Sequence, residues 1–305
     1  MGMKFIKIGA AILLFVVSFF IFLYWSFPYD VLRERLVTTI EQQIGGGIEV
    51  TMSNFGPYWF TGVDIRGLTI NGLDASGKMA PLIECERATG RLSLFSLLFG
   101  RPHLSFDVVM GKGEIEGVVV RSDDALSIDA DLDHVDLGHI KLIAARTGLQ
   151  LSSRIDGEVR LRIDRQNPKN STGKISIDVA ELTSGASELK LSGAALPLPE
   201  FVIAHDKAAK IKMDMGKGIV TVESFRFQGG DIDLDLKGKI FLTTKVENYG
   251  LSLNGTFSVS KKLTDALPFL FIIEQQKQPD GNYPLSITGR LIKPLPKIGT
   301  FVVPL

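Results

Sequence analysis

The stretch Glu158-Val159-Arg160-Leu161-Arg162-Ile163-Asp164 alternates charged and apolar residues without an error. In an extended chain successive side chains point to opposite faces, so this period of two builds a strand with one dry side and one wet side. The same pattern recurs in Lys174-Ile175-Ser176-Ile177-Asp178-Val179 and in Asp231-Ile232-Asp233-Leu234-Asp235-Leu236-Lys237, with looser versions at 48–52, 63–70 and 251–259. Turn signals fall between them at Asn71-Gly72, Gly111-Lys112-Gly113, Asn167-Pro168-Lys169-Asn170, Gly216-Lys217-Gly218 and Gly229-Gly230. Half-apolar strands at turn spacings of about 8–12 residues describe a long antiparallel meander. Such a sheet must cover its dry face by closing, by folding into a sandwich, or by curling into a groove that holds something apolar. If it curls, the residues placed to line the concavity are Val159, Leu161, Ile163, Ile175, Ile177, Ile232, Leu234 and Leu236.

Upstream of the meander the pattern is different. Residues 8–27 carry no charge, and a helix of that length at ~1.5 Å per residue matches a hydrocarbon core of ~30 Å. Lys4 and Lys7 precede the run and Tyr24 and Trp25 end it, the flanks expected of a membrane helix. No small-x-small site follows, so an uncleaved anchor is expected rather than a signal peptide. Lys4, Lys7 and the terminal amine, set against Arg33 and Arg35, place the N-terminus inside. The expected division is an inside N-terminus at 1–7, a transmembrane helix at 8–27, an amphipathic connecting helix at 28–45 and a β-rich domain at 46–305. Leu32, Leu36, Ile40 and Ile44 give the connecting helix its stripe, and Gly45-Gly46-Gly47 ends it. The glycine triplet is no phosphate loop, because no Gly-Lys-Ser/Thr follows it. Two more short helices are expected at 140–147, capped by Gly148, and from Lys262 to Leu267, with Pro268 beyond. The expected fold class is therefore mainly β: a transmembrane helix, then a long curled antiparallel sheet with two or three short helices.

Composition narrows the function classes. Lys plus Arg and Asp plus Glu both number 34, and this zero net charge argues against a nucleic-acid partner. At 45% hydrophobic residues the chain has enough apolar surface to fold. Cys85 is the single cysteine, which excludes an intramolecular disulfide and any multi-cysteine metal site. Its neighbours Glu84 and Glu86 oppose an activated thiol. Asp129, Asp131, Asp133 and Asp136 imitate the start of a calcium loop, but the glycine and the distal glutamate are misplaced, and strand alternation explains the spacing better. His134 and His139 are not at helical metal-pair spacing. Asp231, Asp233 and Asp235 read as the wet face of a strand. Pro57-Tyr58-Trp59-Phe60 reads as a packing plug between helix and sheet. No nucleophile elbow is present. No catalytic, cofactor-binding or metal residue is assigned, and an enzyme is not expected.

Several patterns taken in order resemble the protein N family of the bacterial type II secretion system, in its long form. They are the apolar N-terminus followed by Gly47-Ile48-Glu49-Val50 and Tyr58-Trp59-Phe60-Thr61-Gly62-Val63, and the segment Arg91-Leu92-Ser93-Leu94-Phe95-Ser96-Leu97-Leu98-Phe99-Gly100, which is similar to AsmA-like proteins. Asp136-Leu137-Gly138-His139-Ile140, Ile155-Asp156-Gly157-Glu158-Val159, and the ending from Tyr283 to Pro294 continue the order. The resemblance implies a single-pass inner-membrane protein of a diderm bacterium, with 46–305 in the periplasm. It also implies association with protein export through contacts with other secretion-system subunits, and no catalytic residues. The AsmA-like features imply an alternative, a lipid-binding or lipid-transfer groove in the cell envelope. The chain is short to bridge the periplasm alone.

Overall fold

A computed structural model describes residues 14–15, 18, 22, 28–44, 47–74, 77–93, 96, 100–191, 194–205, 208–245, 248–267 and 270–303. The expected mainly β class holds, but its transmembrane helix does not: among the described residues no helix is long and apolar enough to cross a membrane. Of the expected span 8–27 only Leu14, Phe15, Ser18 and Phe22 are described, all helical, and the rest lies outside the described residues. Spanning takes about 20 continuous apolar residues. The helix α1, Tyr29–Ile44, has 16 residues and carries Asp30, Arg33, Glu34, Arg35 and Glu41. It covers 29–44 of the connecting helix expected at 28–45; Pro28 precedes it, and Gly45 lies outside the described residues with Gly46.

After α1 come β1 (Ile48–Thr51), β2 (Asn54–Tyr58), β3 (Gly62–Leu73), β4 (Met79–Leu92), β5 (His103–Met110), β6 (Gly113–Arg121) and β7 (Ala125–Asp136). A 3-10 turn, Leu137–His139, and α2 (Leu142–Thr147) lead to β8 (Leu151–Asp164) and β9 (Thr172–Ser184). A separate hairpin of β10 (Ser187–Leu191) and β11 (Ala194–Leu198) precedes β12 (Phe201–Ala204), β13 (Ala209–Gly216), β14 (Ile219–Phe227), β15 (Ile232–Phe241) and β16 (Gly250–Val259). Then α3 (Lys261–Ala266) and α4 (Phe271–Glu274) lead to β17 (Tyr283–Arg290), β18 (Lys293–Ile298) and β19 (Phe301–Val302).

All the registers are antiparallel. β1 and β2 sit end to end along one side of β3, and β3 to β9 then follow in order. β12 and β13 likewise share the free side of β9, and β13 to β19 complete the series. A meander of this length twists, and bulges sharpen its curl. Registers shift between Leu132 and Val135 and between Ser152 and Arg154, where His134 (φ 51°) and Glu181 (φ 44°) supply the left-handed residues. Asn71-Gly72 is not the expected turn but the end of β3. A Cβ on Gly72 would meet Leu82 Cδ1 at 2.5 Å and Ile48 Cδ1 at 2.9 Å, so glycine is needed there for close approach.

The two ends of the sheet differ. At the rim, strands meet or turn at Gly62–Arg91, Arg121–Leu126, Arg162–Thr172, Gly216–Ile219, Phe241–Gly250 and Arg290–Lys293. The opposite end, the base, holds three packed clusters. Val179, Leu182, Ala204 and Ala209 pack with Leu137 and Phe227, and Cys85, Met110 and Val135 pack with Ile140 and Ile155. Leu198 and Phe201 enclose Leu263 of α3, which is 1% exposed. Ser260 caps α3, as Gly148 (φ 82°) ends α2, so both expected helices form within a residue or two of their predicted bounds. Along the β1–β3 edge, Leu36, Val37 and Ile40 of α1 cover Val50, Met52 and Ile65.

Candidate functional site

The cross-strand registers show what the trough offers. From Val159 the partners run through Ala130, Gly117, Phe106 and Gly90 to Val63 in one direction. In the other they run through Ile175, Met213, Val222, Gly238 and Leu253 to Ile287. Cross-strand partners share a face, so a row without a polar side chain crosses the sheet. One residue along, Glu158 is followed by Asp131, Glu116, Asp107, Thr89 and Asp64 on the opposite face.

All eight residues expected to line a concavity lie on the dry face, but they divide between two environments. Leu161, Ile163 and Ile175 line a cavity of about 420 Å³ at the rim, together with Met213, Met215 and Val220. Asp164, Arg165, Thr243 and Tyr249 stand at its polar border. Ile163 is 37% exposed, and none of these six apolar residues belongs to a packed cluster. Val159 is half-buried beside Ile175. Toward the base, Ile177 packs under the Val179 cluster and Ile232 against Leu263, Leu198 and Phe201. Leu234 is half-buried opposite Phe227 and Phe257, and Leu236 is buried. The sequence reading passed over β13, although Lys210-Ile211-Lys212-Met213-Asp214-Met215 carries the same alternation.

The wet face carries a second recess, of about 460 Å³, bordered by Tyr58, Thr89, Asp107, Glu116, Asp129 and Asp131. Its acids are largely engaged. Arg160 reaches Asp129 at 2.7 Å and Asp131 at 2.8 Å. The Arg87 guanidinium at 2.8 Å holds the nearby Asp64 carboxyl below the usual range, with Arg66 assisting at 3.3 Å against the opposing effect of burial. Asp107 pushes Glu114 up through a hydrogen bond and through its charge, and these two with Glu116 are close enough to share a cation. Asp133, His134 and Asp156 form another such group, in which His134 bonds Asp133 through Nδ1 and donates its backbone N–H to Asp156 at 2.8 Å. Asp136 accepts from Gly138 N at 2.8 Å and starts the 3-10 turn.

Three readings change on contact with the geometry. Asp231 is not on a wet strand face; it joins three elements, accepting from Ser260 Oγ at 2.7 Å and Val202 N at 3.1 Å, with Lys262 at 3.6 Å. Burial pushes its carboxyl up, but these partners together hold it below the usual carboxylate value. Trp59 and Phe60 are not a plug between helix and sheet; they are 65% and 68% exposed at the β2–β3 turn. Cys85 is buried, and burial, not a neighbouring acid, pushes its thiol up.

A third cavity, of about 680 Å³, lies at the base between α2 and the starts of β4 and β8, with Ala80, Pro81, Ile140, Ile143 and Leu151 around it. The rim cavity thus offers apolar contact with polar groups at its border, whereas the base cavity also has Lys141, Gln150, Ser152, Thr183 and Glu200 in its lining. No family model, no curated protein and no solved structure matches the chain.

Proposed function

We propose that the chain is a non-enzymatic carrier that holds the acyl portion of a lipid along the rim half of its curled sheet. The observation that carries this reading is the row without polar side chains through Val159, Ile175 and Met213, left unfilled where it reaches the rim cavity. About 420 Å³ falls within the ~300–1,000 Å³ typical of small-molecule sites. Each buried methylene contributes about 0.8 kcal/mol, so an alkyl chain gains affinity without any specific polar contact. Asp164, Arg165 and Tyr249 at the border would meet the polar end. The order of the sequence motifs supports an envelope setting and a link to protein export, which crosslinking to secretion-system subunits tests separately.

Native mass spectrometry of the full chain, released from mild detergent, tests the carrier reading. Adducts of lipid mass are expected on the wild type and much reduced on Ile175→Asn with unchanged circular dichroism. A wild type free of lipid, even after incubation with lipid extract, would overturn it.

A further inference from the structure

The rim differs from the base in charge as well as in packing. At the base, three cations stand beside acids, Lys141 with Glu84 at 2.6 Å, Lys262 with Asp231 at 3.6 Å and Lys277 with Glu274 at 3.4 Å, while Lys112 and Lys261 are exposed among the acids Asp133, Asp136 and Asp265 of the same end. At the rim, Arg101, Arg121, Arg165, Lys169, Lys217 and Lys293 are all exposed, and among the described residues none of them has an ion-pair partner. Among the described residues the acids in the same turns are Asp123 and Asp124, both exposed, and the partly exposed Asp164. A chain of zero net charge therefore has one strongly basic end.

Apolar side chains project from the same end. Trp59 and Phe60 form the β2–β3 tip, and Leu291 (46% exposed) and Ile292 (68%) form the β17–β18 tip between Arg290 and Lys293. Exposed apolar residues also occur at the base, Leu73, Met79, Phe271 and Ile272 among them, so exposure alone does not single out the rim. The combination does: aromatic and aliphatic tips interleaved with unpaired cations match the boundary of an anionic bilayer, where apolar groups enter the acyl region and each nearby Lys or Arg adds attraction to lipid phosphate. The helix α1 lies along the β1–β2 edge of the sheet. Glu41, late in α1, accepts from Val50 N on β1, whereas Arg33, earlier in α1, reaches Met52 O on the way to β2, whose partners on β3 lie at its rim half.

We propose that the rim docks peripherally on an anionic lipid surface through the Trp59–Phe60 and Leu291–Ile292 tips and the surrounding cations. The contact does not require the trough to carry lipid, and its test is separate from mass spectrometry of bound lipid. The two tryptophans are Trp25 and Trp59, so Trp25→Phe in the full chain leaves Trp59 as the sole reporter. Phosphatidylcholine vesicles with and without phosphatidylglycerol, each carrying spin-labelled lipid, are the probe.

The expected result is a blue-shifted and quenched Trp59 emission on anionic vesicles only. The combined neutralisations Lys169→Gln, Lys217→Gln and Lys293→Gln should weaken the interaction about a hundredfold, because each cation near such a surface contributes roughly 1 kcal/mol. These positions are exposed turns, so circular dichroism should not change. A reporter moved to the base, Lys112→Trp with Trp25→Phe and Trp59→Phe, should not be quenched. Vesicle binding that leaves Trp59 unquenched, equal quenching at both ends, or no binding by a rim that instead captures a protein would each overturn the proposal.

Discussion

The base and the rim of one continuous sheet present the same alternating strands in opposite conditions. At the base Val135 and Leu263 are each 1% exposed, closed in by the segment after β7 and by α3. At the rim the same face leaves Ile163 37% exposed, without a packed cluster around it. Strand period decides which face is dry, but the intervening segments decide whether the dry face becomes a core. Stability is expected to reside at the base and ligand binding at the rim.

That division is open to being broken. Leu263→Ala should have the largest effect, because it opens a cavity among Leu198, Phe201 and Ile232; about 2–5 kcal/mol of unfolding free energy should be lost in urea titration. Asp231→Asn should follow at about 1–3 kcal/mol, since it removes the charge that Ser260, Val202 and Lys262 surround. The Asp231 carboxyl is held below its ordinary value of 3.8. Its contribution is therefore present above that value and lost as the pH falls through the lower folded value. The stability gap between wild type and Asp231→Asn should close below about pH 4 in acid titrations.

Ile163→Ala should cost under about 1 kcal/mol while reducing retained lipid, the opposite ranking to Leu263→Ala. Trp59→Gly should be the smallest change in stability. The left-handed φ of 53° suits glycine, and the substitution should be neutral or stabilise by less than about 1 kcal/mol in thermal melts, yet weaken vesicle binding. Equal losses for Ile163→Ala and Leu263→Ala would erase the distinction between the two ends.

The strands were legible because charges interrupt the apolar residues at every second position, as in 158–164 and 231–237. The short helices were legible from their glycine and serine ends. The bulges at His134 and Glu181 were not, since those residues carry no turn signature. Asn71-Gly72 misled because glycine serves there for close approach, and Pro57-Tyr58-Trp59-Phe60 misled because aromatic residues serve surfaces as well as cores. The apolar run at 8–27, with its Lys and Tyr-Trp flanks, reads as a membrane span, but among the described residues no helix is long and apolar enough to be one. Of the eight residues assigned to a concavity, periodicity placed all on one face. Only the three-dimensional register separates Leu161, Ile163 and Ile175 at the cavity from Ile177 and Ile232 in the packed base.

The most direct test places a photo-crosslinking side chain at Ile175, on the dry face, and separately at Asp178, on the wet face, in the full chain irradiated in its native membrane fraction. The trough predicts lipid-mass adducts from Ile175 and none from Asp178. No adduct at Ile175, or equal yields at both positions, would contradict it.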